Sequence, residues 1–332
     1  MFRVFDKKVI LLAAALYSAQ AVLPALALDM RDSGVNTVDV PKQILKSGIN
    51  LSNASLSPNS QQLADQLNLT PILVRIQELR AITASQKGET SLEALSNRIS
   101  LQEQLESARS ILLQTAFEAD FVTSEIQAEQ NVYASVLSTF QSNRDKIVAR
   151  TNAASFITNG ILWAVSCGLA IPTYKYPGYS VQSGITGVIA GIVPSVASMY
   201  ALKAYEGRHK TSEQEPNMLA KIFDYPTNPE IDYPASIWKF LTSVPASDGG
   251  TRTRKDQLID RWISDKNIPG FTDSKSKKQL DAITASISQK KGLCIDNLNA
   301  RLVMLEQLEG EVMKLKRLLL ELSMAVNGSK TI

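Results

Sequence analysis

The sequence has few of the side chains that usually carry chemistry. It contains two cysteines, Cys167 and Cys294, and one histidine, His209. Neither a CxxC nor an HExxH spacing occurs, so a disulfide framework is excluded and a zinc site of Cys and His ligands is not expected. The carboxylates near Asp224 and Asp232 have no histidine or nucleophile beside them in the sequence. We therefore predict a protein without catalytic residues, a metal, a cofactor or a small-molecule substrate.

Aromatic side chains and net charge are also low. Aromatic residues make up 6% of the chain, and the formal net charge is +3. Few aromatics, with Leu, Ala, Ser and Gln abundant, favour long helices over a β-sandwich, and so small a charge does not indicate a nucleic-acid partner. The predicted fold is all-α, with long coiled-coil-like helices flanking a two-helix transmembrane-type hairpin and a small proline-rich helical module.

The amino terminus is typical of an export signal. Three basic residues precede an apolar run at 9–22, and the small residues Ala25 and Ala27 are typical of a signal-peptide cleavage site. We predict a signal peptide over 1–27 and a disordered leader, rich in Ser, Asn and Gly, over 28–59. An uncleaved anchor is the alternative, which Pro24 disfavours because proline interrupts a spanning helix.

Apolar residues at helical spacing predict two helical arms, one over 60–150 and one over 274–328. The first arm should contain a short amphipathic helix from Thr70 to Gly88 and a long helix from about Ser91. The seam of the long helix comprises Leu101, Leu105, Ala108, Leu112, Thr115, Ala119, Val122, Ile126, Glu129, Tyr133, Val136, Phe140 and Ile147. The seam of the second arm comprises Leu280, Ile287, Cys294, Leu298, Leu305, Leu308, Val312, Leu315, Leu319, Leu322 and Val326. We expect the arms to pack against each other as a bundle, in preference to forming an exposed partner-binding groove.

The segment at 204–273 is rich in proline, which predicts a compact module of short helices and turns. An apolar cluster around Trp238 is expected to form its core, although tryptophan also favours the membrane headgroup zone. Basic residues at 252–261 alternate with aspartates at helical spacing. This pattern favours a solvated helix face with ion pairs along the helix, and contact with anionic lipid headgroups is the alternative.

The most informative pattern is a pair of stretches that contain no charged residue. No Asp, Glu, Lys or Arg occurs at 151–174 or at 176–202. A helix of about 20 residues spans a hydrocarbon core of about 30 Å. We therefore predict a hydrophobic helical hairpin over 151–203, with transmembrane helices at about 153–172 and 181–202 and a lipid bilayer as the partner. Polar residues such as Asn159 keep open the alternative of a hairpin buried in a soluble bundle.

Two further patterns support the predicted hairpin. One is a regular spacing of small residues in both helices, and the other is a tyrosine-rich turn between them. Small residues recur at every fourth position: Gly160, Ala164 and Gly168 in the first helix, and Ser183, Gly187, Gly191 and Ser195 in the second. This spacing allows close helix packing in lipid. The turn carries Tyr174, Lys175, Tyr176 and Tyr179, a composition typical of a membrane interface.

The export signal and the flanking charges predict opposite orientations. A cleaved signal and two spans would place both arms outside the cytoplasm, in the periplasm or its equivalent. The basic residues on the arm side are Arg144, Lys146, Arg150, Lys203, Arg208 and Lys210. The turn carries only one basic residue, Lys175. The positive-inside rule would therefore keep the arm-side flanks in the cytoplasm. Because an exported domain of this length crosses largely regardless of its charges, we expect both arms outside.

Three functions follow in order of preference. The first is a membrane-anchored scaffold or assembly protein of the cell envelope, without catalytic activity, whose arms contact further copies or other envelope proteins. The second is a secreted membrane-active protein that inserts its hairpin after release. Long helices around a hydrophobic hairpin resemble the α-helical pore-forming toxins in architecture alone, with no shared motif. A periplasmic enzyme is the third.

Overall fold

Helices account for the regular structure in the part of the chain that the computed structural model describes. The described residues are 49, 51–205, 207, 216–226, 232–265, 268, 270–284 and 293–331. No strand occurs among these residues, so the all-α prediction is confirmed. The predicted signal peptide, most of the predicted leader and Ile287 lie outside them.

The helices are α1 (Pro58–Gln66), α2 (Thr70–Ser85), α3 (Leu92–Ala170), α4 (Tyr179–Tyr205), α5 (Leu219–Ile222), α6 (Ala235–Leu241), α7 (Arg254–Ser264), α8 (Lys277–Thr284) and α9 (Ile295–Val326). A single 3-10 turn, Ile171–Tyr174, follows α3 directly. A short helix between Thr70 and Gly88 is confirmed as α2.

Helix α3 contains 79 residues, which corresponds to about 120 Å at about 1.5 Å per residue. It begins where the sequence predicts, because Ser91 caps it by accepting a hydrogen bond from the Ala94 amide at 3.2 Å. The predicted boundary at residue 150 between arm and hairpin does not interrupt it. No glycine or proline occurs between Leu92 and Asn159, so nothing in this stretch favours ending the helix. The arm and the first hairpin helix are therefore one continuous element.

Helix α9 runs antiparallel to α3. Lys316 pairs with Asp120, and the Gln127 side chain donates to Glu309 at 2.6 Å, so residue numbers rise on one helix as they fall on the other. The buried seam residues are Ala108, Leu112, Thr115, Ala119, Val122, Ile126 and Phe140 on α3, and Leu298, Leu305, Leu308, Val312, Leu315, Leu319, Leu322 and Val326 on α9. The prediction that the arms pack against each other is confirmed, and the knobs-into-holes geometry of a coiled coil stays a prediction.

The C-terminal arm is not the single helix predicted over 274–328. Helix α8 ends at Thr284, and Cys294 is extended, with φ −115° and ψ 168°. A new helix begins at Ile295. Gly292 lies just before this point in the sequence, and glycine favours a helix end.

Residues 51–59, which were predicted to belong to a disordered leader, are packed against the C-terminus. Leu56 is buried, and its amide donates to the Thr331 carbonyl at 3.0 Å. The Thr331 amide in turn donates to the Ala54 carbonyl at 2.7 Å. The leader prediction is corrected for this segment, because buried apolar contact and backbone hydrogen bonds order it.

Beneath this contact lies a buried ion pair. The Lys330 ammonium donates to Glu321 at 2.8 Å, and the two side chains have exposed fractions of 0% and 1%. The hydroxyls of Ser57 and Ser60 each donate to the same carboxylate at 2.6 Å. These bonds join the start of α1 to the end of the chain.

The proline-rich module consists of α5, α6 and α7, as the prediction of short helices and turns requires. Its core is formed by Ile237, Phe240 and Leu241 together with Trp262 and Phe271, and all five are buried. These residues belong to the same buried cluster as the α3 and α9 seams, except for Phe140 and Leu298, which lie in a second cluster. The apolar residues predicted to anchor the module thus pack against the arms.

Candidate membrane-inserting hairpin

Helices α3 and α4 form an antiparallel hairpin held by a reciprocal pair of serine hydrogen bonds. The Ser166 hydroxyl donates to the Ser183 carbonyl at 2.8 Å, and the Ser183 hydroxyl donates to the Ser166 carbonyl at 2.9 Å. Ser166 is buried at this contact, and Ala190 is buried about two turns further along α4. A Cβ atom added to Gly187 would lie 3.4 Å from the Ser166 hydroxyl oxygen. The helices therefore pack closely around Ser166.

The structure brings two of the seven predicted small residues, Ser183 and Gly187, to this contact. The other five, which are exposed, are Gly160, Ala164, Gly168, Gly191 and Ser195. A Cβ atom on any of the three exposed glycines would meet nothing within 4 Å. A strict four-residue spacing drifts by about 40° per step around a helix of 3.6 residues per turn, so such a stripe leaves the seam. The contact between α3 and α4 does not include these five residues, and their packing against helices in a membrane stays a prediction.

Sequence reasoning missed the packing roles of Ser166 and Ala190, and it treated Asn159 only as a residue that favours a soluble bundle. The Asn159 side-chain oxygen is buried and has no hydrogen-bond partner among the described residues. In the sequence, Ser166 is one polar residue within an apolar run. A polar residue in a spanning helix indicates a helix contact when it faces a partner helix. Which residues of the two helices face each other depends on the turn, and the sequence pattern does not give this register.

The outer surface of the hairpin is apolar and exposed. On α3 the exposed large apolar residues include Phe156, Ile157, Ile161, Trp163 and Val165, and on α4 they include Val181, Ile185, Val188, Ile189, Ile192, Val196 and Met199. Both helices are long and apolar enough to cross a membrane, and only 6% of each apolar window is buried. A core helix of a soluble bundle would be mostly buried. The described part of the chain does not shield this surface, whose extent exceeds what a soluble monomer usually exposes.

The turn places the predicted interfacial residues at the tip of the hairpin. Tyr174, Tyr176 and Tyr179 are exposed, and Tyr174 completely so. The Lys175 ammonium lies 5.6 Å from the centre of the Tyr176 ring. The turn is tight because the amides of Lys175 and Tyr176 both donate to the Pro172 carbonyl at 2.9 Å. Arg150, which ends the charge-free run at the other side, lies about 30 Å from Ile171 along the helix.

Three of the four basic residues at 252–261 are engaged inside the module. Arg254 is buried, stacks on Phe240 at 4.2 Å and donates to the Ser243 hydroxyl at 2.6 Å. Arg252 pairs with Asp260 at 2.6 Å and Lys255 with Asp224 at 2.7 Å. These ion pairs lie within the module, but neither joins two residues of one helix as predicted, because Arg252 precedes α7 and Asp224 follows α5.

Packing of Gly187 against Ser166 predicts a position-specific effect of a larger side chain. Gly187→Leu should force α3 and α4 apart, because overpacking a close contact costs about 1–3 kcal/mol. We expect amide hydrogen exchange in α4 to be faster by about tenfold in detergent micelles, since about 1.4 kcal/mol is one factor of ten. Gly191→Leu is the matched control and should leave exchange near the wild-type rate. Equal acceleration in both variants would contradict the observed packing.

A buried polar cluster joins the module to the arms. Glu129 on α3 accepts hydrogen bonds from the Met218 amide at 2.9 and 3.1 Å. The buried Arg301 guanidinium lies 5.1 Å from the Tyr133 ring, and its Nε donates to the Ala282 carbonyl at 2.8 Å. Burial raises the pKa of Glu129 to about 7, an effect that the Met218 hydrogen bond opposes and the charge of Glu125 reinforces.

The raised pKa of Glu129 predicts that stability falls as the pH rises toward neutrality. The folded protein holds the Glu129 proton up to about pH 7, whereas an unfolded glutamate releases it near 4.5. Between these values the folded state binds more protons, so the free energy of unfolding decreases with rising pH, by at most about 3 kcal/mol. Glu129→Gln should remove this component, which thermal unfolding of the detergent-solubilised protein at pH 5 and pH 8 will measure. Identical pH profiles for both proteins would refute it.

Comparison with known proteins adds no relative. No family model matches the chain, and no curated protein or solved structure matches it significantly.

Proposed function

We propose that the protein is an exported, membrane-anchored helical scaffold or assembly protein of the cell envelope, without catalytic activity. The observation that carries the proposal is the hairpin of α3 and α4, whose large apolar residues face outward. Water disfavours such a surface, whereas a bilayer of about 30 Å matches its length. The tyrosine-rich turn and Arg150 would then lie at the two interfaces.

The continuity of α3 supports a role in positioning. Because one helix runs from Leu92 in the bundle to Ala170 in the hairpin, anchoring the hairpin would hold the bundle at a fixed place beside the membrane. The bundle also leaves apolar residues of α3 exposed, including Leu113, Phe117 and Phe121. In this proposal the arms contact further copies of the chain or other envelope proteins through such surfaces.

Both arms are proposed to lie outside the cytoplasm. The export signal supports this orientation, and a long translocated domain tolerates the basic residues that flank the hairpin. Only the turn around Lys175 would then face the cytoplasm.

Fractionation combined with protease accessibility tests the proposal. In a Gram-negative host, the full chain should sediment with membranes and resist extraction by alkaline carbonate. Protease added to spheroplasts should digest both arms and leave a protected fragment of about 50 residues, the size of two spans with their turn. If the protein resisted carbonate but its arms were protected from protease, the proposed orientation would be wrong and the proposed membrane anchoring would still hold.

Fractionation together with a dye-release assay distinguishes the anchored scaffold from the alternative, secreted membrane-active function. A protein that stays soluble without detergent and releases dye from liposomes would support the secreted membrane-active function. Quantitative release by carbonate together with no dye leakage would reject both functions.

A further inference from the structure

A cleft of about 330 Å³ opens between α3 and α4 at the arm-side end of the hairpin. Its wall on α3 carries Arg150, Thr151, Ser155 and Thr158, and its wall on α4 carries Val193 and Ala197. Pro194 lies within α4 beside this wall, where proline removes one helical hydrogen bond. The helices that pack closely at Ser166 thus leave space near Arg150.

The polar groups of the cleft have no partner among the described residues. Arg150 forms no ion pair there, whereas Arg144 pairs with Asp145 at 2.8 Å. The hydroxyls of Thr151, Ser155 and Thr158 make no hydrogen bond to any described group. This differs from Thr139 and Thr186, whose hydroxyls donate to the carbonyl four residues earlier. A cation and three free hydroxyls therefore face one side of an otherwise apolar cleft.

The position of the cleft along the hairpin identifies its ligand class. Arg150 ends the charge-free run, so in a membrane it lies at the headgroup level. Thr158 is about 12 Å deeper along the helix, at the level of the glycerol and the first acyl carbons. Polar groups at this depth lose water as a partner, which makes a ligand with oxygen atoms favourable. The matching chemistry is a phosphate at one end, ester oxygens below it, and an apolar chain.

We propose that this cleft binds one anionic phospholipid, with its phosphate on Arg150, its glycerol oxygens near Thr151 and Ser155, and an acyl chain along Val193 and Ala197. The proposal rests on the membrane anchoring proposed above. Guanidinium groups favour phosphate because they offer paired donors in a fixed plane. The site would fix the depth of the hairpin and so the position of the bundle.

Native mass spectrometry of the full-length protein in detergent tests the site. With phosphatidylglycerol and phosphatidylcholine at equal concentration, the wild type should retain phosphatidylglycerol. Arg150→Gln should lower this retention about tenfold, the effect of one charge-assisted hydrogen bond. Ala197→Leu, which fills the cleft, should lower it to a similar extent. Lys146→Gln removes the same charge one helical turn away, outside the cleft, and should change retention by less than about twofold.

Failure of the site and failure of the anchor have different results. Equal loss in Lys146→Gln and Arg150→Gln, or equal retention of both lipids by the wild type, would overturn the site alone. If millimolar inorganic phosphate displaced phosphatidylglycerol, the cleft would be a site for a simple anion and not for a lipid, which would also overturn the proposed lipid site. In parallel, the wild type and Arg150→Gln should both insert into pure phosphatidylcholine liposomes in a carbonate-resistant form. If the wild type does not insert, the anchor fails and the lipid site falls with it.

Discussion

The substitution Val188→Asp should abolish stable membrane insertion. Val188 lies near the middle of α4 on its outward surface. An aspartate at the centre of a spanning helix costs about 2.5–3.5 kcal/mol. The partition between membrane and water should therefore fall by about 100-fold. Carbonate-resistant incorporation of the purified protein into liposomes measures this partition.

The matched control for this prediction lies on the arm. Val132 on α3 has an exposed fraction of 60%, close to the 64% of Val188, so Val132→Asp makes the same chemical change at an equally exposed helical position. It should leave incorporation at the wild-type level, because the arm is expected to remain in water. If the two variants lost incorporation equally, the hairpin would not be the inserting element.

Lys330→Met should destabilise the bundle by about 3–5 kcal/mol, the usual cost of removing one partner of a buried ion pair. The Glu321 carboxylate would keep its hydrogen bonds from Ser57 and Ser60 but would lose its only ion-pair partner within the described chain. Thermal unfolding of the detergent-solubilised protein, followed by circular dichroism, should show a clearly lower midpoint. Lys316→Met, which breaks the exposed pair with Asp120, should cost less than about 1 kcal/mol. Comparable losses in both variants would contradict the burial of the Lys330 pair.

The pH dependence of this effect has a defined sign. Burial alone raises the pKa of Glu321, but hydrogen bonds from Lys330, Ser57 and Ser60 lower the pKa below its ordinary value. The wild type therefore gains stability from Glu321 above the ordinary pKa of glutamate and loses it as the pH falls below that value. In Lys330→Met the unpaired carboxylate will protonate more readily. The difference between the two proteins should shrink as the pH is lowered from neutrality.

The features that sequence reasoning predicted correctly depend on local patterns. The seam from Ala108 to Ile126 repeats at the period of a helix, and this period alone identifies the buried face. The hairpin follows from the absence of charge at 151–174 and 176–202. Such patterns can be interpreted without knowledge of the tertiary structure, because the face on which a residue lies depends only on its position within its own helix.

The features that sequence reasoning missed depend on pairing between distant or separately placed residues. Ser57 and Glu321 are 264 positions apart, so no local sequence pattern links the two residues. The composition of the segment before α1 is typical of a disordered leader. The contact of Ser166 with Ser183 depends on the exact length of the turn. The spacing of Gly160, Ala164 and Gly168 could not predict the contact of α3 with α4, because small residues on a helix do not indicate which face meets the partner. The continuity of α3 was missed because a change in composition at residue 150 was interpreted as a boundary.

The two native cysteines permit the most direct test of the central claim, that the hairpin lies in the bilayer. Cys167 is exposed on the hairpin, and Cys294 lies at the start of α9. In Cys294→Ser, a fluorescent label on Cys167 should be quenched by lipids with nitroxides on their acyl chains and protected from cobalt ions in water. A label on Cys294 in Cys167→Ser should show the opposite pattern. If the Cys167 label is quenched by cobalt ions and not by the lipid nitroxides, the hairpin remains in water and the account is contradicted.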